Sequence, residues 1–194
     1  MRNKHIMNNI FANNIKITPK MADIIINVRG TLFSWLEGSS QCGKSVTAAL
    51  AFAALIEDSP EEDFLFLALG VTSTSVKNNV SFTGGFGLEG YFGSKAHKGK
   101  YYGSDALFIE TRTGVKTIFF TGGNTQTANN AWHGFPIAGA LVDEIDRIHP
   151  NSINELKQRI QAKPDAHIIV TQNPNIPAHG IYKELEFYQS LNEV

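Results

Sequence analysis

The chain is expected to fold as an α/β domain built on a mostly parallel central sheet, and three observations lead there. Short, continuous apolar runs alternate along the sequence with longer segments of helical character. Two of those runs, residues 64–69 (FLFLAL) and 166–170 (AHIIV), lack the alternation of a half-exposed strand, as strands buried on both faces do. A third β-prone run, residues 31–37, leads straight into a Gly/Ser loop and then an apolar helix.

The elements follow in order. Residues 1–19 are Asn-rich and irregular, and are expected either as a mobile arm or as an edge packing against the base. Met21, Ile24, Ile25 and Val28 recur at helical spacing, so residues 20–28 form a short amphipathic helix. The 31–37 strand and an Ala/Leu-rich helix over 46–56 come next, then the polar connection Ser59-Pro60-Glu61-Glu62-Asp63 and the 64–69 strand. Residues 72–80 read as a loop entering a short helix. Residues 83–104 are so rich in glycine that they read as a long flexible loop, carrying a local basic cluster of Lys95, His97, Lys98 and Lys100. Strands over 106–110 and 115–120 are joined by the turn Thr111-Arg112-Thr113-Gly114 as a hairpin. A polar stretch over 121–130 precedes an apolar strand over 138–142. A helix over 152–162 presents Ile153, Leu156 and Ile160 on one face, and the 166–170 strand closes the core. One domain is expected across residues 1–194.

Composition narrows the function classes. Hydrophobic residues make up 42% and charged residues 18% of the 194, as in a folded domain with a real core. The net charge of −1 gives no global basic field, so any nucleic-acid contact would use local patches. The single cysteine, Cys42, excludes an internal disulfide framework and a Cys-rich zinc site, and fits a reducing compartment. No apolar run is long enough to span a membrane, and no membrane partner is expected. The six histidines show no metal-ligand spacing.

The most informative motif is Gly38-Ser39-Ser40-Gln41-Cys42-Gly43-Lys44-Ser45, which spells G-x-x-x-x-G-K-S. In such a loop backbone N–H groups turn toward phosphates, and the following helix adds its positive N-terminus. Lys44 is expected on the β- and γ-phosphates and the Ser45 hydroxyl on Mg²⁺, with residues 38–46, Val46 included, forming the nucleotide cradle. The plainer alternative is a Gly/Ser turn before a helix; the strand before it and the apolar helix behind it argue for the phosphate loop. Cys42, inside the loop, is expected as a small space-filler.

About a hundred residues later the 138–142 strand ends in Asp143-Glu144. Ligands of open α/β sheets bind at the C-terminal strand ends. Asp143 is therefore expected to hold the metal through water and Glu144 to accept a proton from the attacking water. The spacing and the neighbouring glutamate suit the RecA-like (ASCE) division of P-loop NTPases. A third element, Thr171-Gln172-Asn173-Pro174, ends a core strand in groups able to sense the γ-phosphate, Asn173 among them.

The order of these motifs, the Gln158-Arg159 pair, the segment from Val71 to Val80 and the tail Pro177-Ala178-His179-Gly180-Ile181-Tyr182 resemble the ATPase domain of bacteriophage terminase large subunits, which package DNA into procapsids. The resemblance spans about residues 25–187. It implies a RecA-like sheet with helices on both faces, and ATP with Mg²⁺ as cofactors. It also implies that Asp143 is the metal aspartate and Glu144 the catalytic base, while Thr171, Gln172 and Asn173 couple hydrolysis to DNA movement. Its implied partners are double-stranded DNA, the portal protein and the small terminase subunit, with subunits forming a homo-oligomeric ring on the procapsid in the host cell cytoplasm.

The sequence departs from the family in three places. Relatives carry a basic residue inside the phosphate loop, where this chain has Ser40 and Gln41. Others carry an Arg-Gly pair where this chain reads Trp132-His133-Gly134. The transition-state cation is then expected from Arg147, Arg159 or Arg112, in cis or from a neighbouring subunit. Trp132 and His133 either line the nucleotide pocket or a subunit interface, or anchor the core. A nuclease domain usually follows in the family, and without one this chain is not expected to cut DNA. Two other functions fit less well: another RecA-like DNA-dependent ATPase of helicase type, and a nucleotide-binding module without turnover.

Overall fold

The computed structural model describes residues 15–39, 41–163, 165–175 and 179–190. Seven strands form one sheet in the order β1-β7-β6-β2-β5-β4-β3. They are β1 (Phe33–Glu37), β2 (Leu65–Gly70), β3 (Ala96–Tyr101), β4 (Ser104–Thr111), β5 (Gly114–Gly122), β6 (Gly139–Val142) and β7 (His167–Gln172). The five strands from β1 to β5 in that order pair in parallel, and β4 and β3 continue the sheet antiparallel. All six residues of β2 are buried, as the unbroken apolar run required.

Alternating side chains send each strand's apolar groups to two separate cores. Phe66, Ala68, Leu141 and Ile169 face one core with helix α2 (Lys44–Asp58). Leu67, Leu69, Ala140, Val142 and Val170 face the other, with helix α5 (Pro150–Ala162) and the buried Trp132. Helices therefore cover both faces. Helix α1 (Pro19–Asn27) starts at the N-cap Thr18, whose side chain accepts from the Met21 N–H, and buries Ile25 against α2. Of the arm expected over residues 1–19, residues 1–14 lie outside the described residues, as do Pro177 and Ala178 of the tail, while Ile15 is buried in the α2-side core and Pro19 opens α1.

The segment read as a long flexible loop is largely structured. Ahead of it, where the sequence predicts a loop entering a short helix, helix α3 (Ser73–Val76), capped by a Thr72–Ser75 capping box, runs into a π-helical turn at Lys77–Phe82. Helix α4 (Leu88–Phe92) and the edge strand β3 follow. The glycines here serve close approach as well as turns. A Cβ on Gly90 would lie 1.9 Å from the Gly85 carbonyl oxygen, and one on Gly87 would lie 2.4 Å from that of Val80. The basic cluster thus sits beside or on a strand, and three of its members are paired: Lys98 with Glu89, Lys100 with Asp105, and His97 with Glu110.

Strand order positions the site. β7 separates β1 from β6, with Trp35 level with Val170 and Val142 with the same Val170. The residues that leave these strands, Gly38, Asn173 and Asp143, consequently emerge side by side at their C-terminal ends.

Candidate active site

The phosphate loop bridges β1 and α2. Gln41 and Gly43 adopt positive φ of 63° and 87°, and Gly43 caps α2 with no side-chain hydrogen bond. The first-turn N–H donors of this 15-residue helix are thus left uncapped by any side chain, the arrangement that favours an anion. Gly38 has no room for a Cβ, which would lie 2.8 Å from Cys42 Sγ. Cys42 itself is exposed, so it does not fill core space. Ser40 lies outside the described residues. Val46 is half-buried against the α2-side core, a packing position.

Lys44 Nζ donates to the carbonyl oxygens of Gly38 and Ser39, at 2.7 and 3.0 Å, and to Asn173 Oδ1 at 3.0 Å. That last bond ties the loop to the end of β7. Ser45 is half-buried in the first turn of α2, one residue from Lys44.

Asp143 is 5% exposed at the end of β6. A buried carboxylate needs donors, and it has two: Thr171 Oγ1 donates to Oδ1 at 2.8 Å and Asn79 Nδ2 to Oδ2 at 2.8 Å. Glu144 turns the chain at φ 53°, ψ 59°, a conformation costly for a residue with a Cβ. Its backbone N–H donates to Thr171 Oγ1 at 3.2 Å, and its Oε2 accepts from Arg147 Nη1 at 2.7 Å. Thr171 therefore holds both acidic residues at once.

The three arginines separate clearly. Arg147 is in the site, paired with Glu144. Arg159 is not brought there. It sits in the last turn of α5 with its Nε 3.0 Å from the buried Glu155, one turn before Lys163, which binds Asp63 at the start of β2. That is the opposite, N-terminal end of the parallel strands. Arg112 lies at that same end, in the turn before β5, where Thr113 Oγ1 bonds the Ser59 carbonyl. Trp132 is wholly buried in the core on the α5 side, and His133 pairs with Glu155.

A cavity of about 660 Å³ opens beside the loop, lined by Met21, Ile24, Trp35, Gly38, Cys42 and Lys44 among others. That volume suits a small-molecule ligand. It lies along the outer edge of β1 beneath α1.

The donors available suit Mg²⁺: the Ser45 hydroxyl and the Asp143 carboxylate are hard oxygen ligands. No group of three or more His, Cys, Asp or Glu among the described residues could hold a metal alone. A metal there would share its ligands with phosphates and water, as Mg²⁺ commonly does. Asn79 escaped the sequence reading because nothing distinguishes one asparagine of Asn78-Asn79 from the other without the fold.

Comparison with known proteins bears on this geometry. The family model for the terminase large subunit, T4likevirus-type, N-terminal, matches residues 35–186. No curated protein matches. The large terminase of a thermophilic bacteriophage, solved with ADP, superposes with a TM-score of 0.74 at 17% identity, over 91% of this chain and 44% of that one. The same thermophilic phage protein has also been solved with ATP-gamma-S. The HK97 large terminase gives a TM-score of 0.60 at 15% identity, over 81% of this chain and 33% of that one. The Thermus phage P74-26 large terminase ATPase domain gives 0.52 at 13% identity, over 74% and 59%. This chain thus spans less than half the length of the thermophilic phage protein. The fold is the RecA-like α/β fold of large terminase ATPase domains. The family match extends over most of a sheet whose end carries the phosphate loop beside Asp143 and Glu144, so the chain belongs to the terminase large subunit family.

Proposed function

We propose that this chain binds ATP as its Mg²⁺ complex and hydrolyses it to drive double-stranded viral DNA into a procapsid. One observation carries the reading: the end of β7 bonds Lys44 of the phosphate loop through Asn173 and bonds Asp143 and Glu144 through Thr171, so all converge at the C-terminal end of the parallel strands. The cavity beside α1 takes the base and sugar, and the uncapped N-terminus of α2 and Lys44 take the phosphates. Ser45 and, through water, Asp143 would hold Mg²⁺, which would supply charge neutralisation on the phosphate oxygens. Glu144 orients the attacking water and accepts its proton. Loss of the γ-phosphate releases Lys44 to Asn173, and that exchange moves the end of β7. DNA contact is to phosphates, independent of sequence and weakened by salt. The portal protein and the small terminase subunit are the expected partners, in the host cytoplasm.

The test measures nucleotide binding and ATP turnover, with and without double-stranded DNA. Lys44→Ala is expected to lose binding. Glu144→Gln is expected to keep binding and lose about 10²-fold or more of turnover. Full turnover in Glu144→Gln would overturn the mechanism, and full binding in Lys44→Ala would overturn the site. A binding module without turnover is the second reading, favoured by the Arg147–Glu144 pair, which occupies the proposed base. Nucleotide binding with no hydrolysis at any protein concentration would select it.

A further inference from the structure

The π-helical turn Lys77–Phe82 has no role in the mechanism above, yet it reaches the centre of the site. Such turns are rare and cluster at functional positions. The segment is fixed at two points. Lys77 Nζ lies 2.5 Å from Asp105 Oδ2 on β4, and Val80 is 2% exposed in the α2-side core. Between them the side chain of Asn79, a surface residue, turns inward to Asp143 Oδ2 at 2.8 Å. An ionised carboxylate only accepts, so the amide must present its N–H.

Thr171 accounts for one Asp143 oxygen and Asn79 for the other. The two donors come from different parts of the fold, one from β7 and one from the segment after β2. With only one of them, the carboxylate would be free to turn about its terminal bond. With both, it has a single orientation.

We propose that Asn79 is a positioning residue for the proposed metal aspartate, holding the Asp143 carboxylate in the orientation that metal binding uses. This rests on the reading of Asp143 as the Mg²⁺ residue. Hydrogen-bond partners of metal ligands are worth about 10- to 100-fold in metal affinity when removed. The Asn79 side chain bonds the carboxylate, and Asn79 is not among the residues lining the cavity beside the phosphate loop. Metal affinity and nucleotide affinity should therefore separate.

The experiment titrates Mn²⁺ into the protein with ADP, following bound metal by electron paramagnetic resonance, and measures ADP affinity separately in EDTA. Wild type, Asn79→Ala and the near-isosteric Asn79→Leu are compared. Both variants are expected to need about 10-fold more Mn²⁺ for half-saturation, with ADP affinity in EDTA unchanged. Wild-type metal affinity in both variants would overturn the proposal, as would a parallel loss of ADP and metal affinity. Failure of the wild type to bind ADP, or Asp143→Asn leaving Mn²⁺ binding intact, would instead overturn the underlying reading of the site.

Discussion

Thr171 illustrates how much one hydroxyl can organise. Its Oγ1 donates to Asp143 and accepts the backbone N–H of Glu144, while the residue itself is 1% exposed. Glu144 meanwhile holds a left-handed backbone, which persists only where neighbours over-determine it. Thr171→Val keeps the shape and removes both bonds, leaving a buried carboxylate oxygen and an N–H short of a partner. We expect a loss of about 1–3 kcal/mol in unfolding free energy, read from urea denaturation. A neutral substitution would show that Glu144 is held by the turn alone. Lys44 behaves similarly: its ammonium is satisfied by three oxygens, one of them 129 residues away.

Among the elements, the antiparallel extension of the sheet shows most clearly where local signals mislead. Glycine suggests flexibility over residues 83–104. In the fold, Gly87 and Gly90 sit where backbone from Val80 and Gly85 passes too close for a Cβ. The lysines of the basic cluster are partly committed to acids. Lys77 and Lys100 both bind Asp105, tying the π-helical turn and β3 to β4. These two lysines hold the Asp105 carboxyl at about 2, below its ordinary 3.8. The unfolded chain therefore takes up the proton first on acidification. Asp105's contribution is complete above the ordinary value and is lost as pH falls through about 2. Asp105→Asn is expected to lower the urea midpoint at neutral pH, with the gap to wild type closing as pH drops through that window. A gap that stays constant down to the lowest pH would show that the carboxylate's charge contributes nothing.

For the molecule as a whole, the sheet order divides its charges between two ends. The phosphate loop, Asp143, Glu144 and Arg147 lie at one end, while Arg112 and the Arg159–Glu155 pair lie toward the other. Of Arg112, Arg147 and Arg159, Arg147 is the one near the site, and it is already bound to Glu144. Under the proposed function, a second subunit is then expected to supply the cation for efficient turnover. ATP turnover per molecule is expected to rise with protein concentration. Turnover independent of concentration from dilute to concentrated protein would show that one subunit suffices.

The legible part of the protein is the part written in short stretches. The phosphate loop is eight consecutive residues, α2 has a long Ala/Leu-rich apolar middle, β2 is an unbroken apolar run and β7 carries the apolar stretch Ile168–Val170; each can be read from neighbours alone. The fold class and the residues Lys44, Ser45, Asp143 and Glu144 come from such stretches. What the chain's order could not give was adjacency. That β7 lies between β1 and β6, that Asn79 meets Asp143 from 64 residues earlier, and that Arg147 rather than Arg159 reaches Glu144 depend on which strands pair and which way each helix returns. Parallel strands are joined by long crossovers. A residue's partner across the sheet is therefore set by packing of the whole domain and leaves no mark in its local sequence.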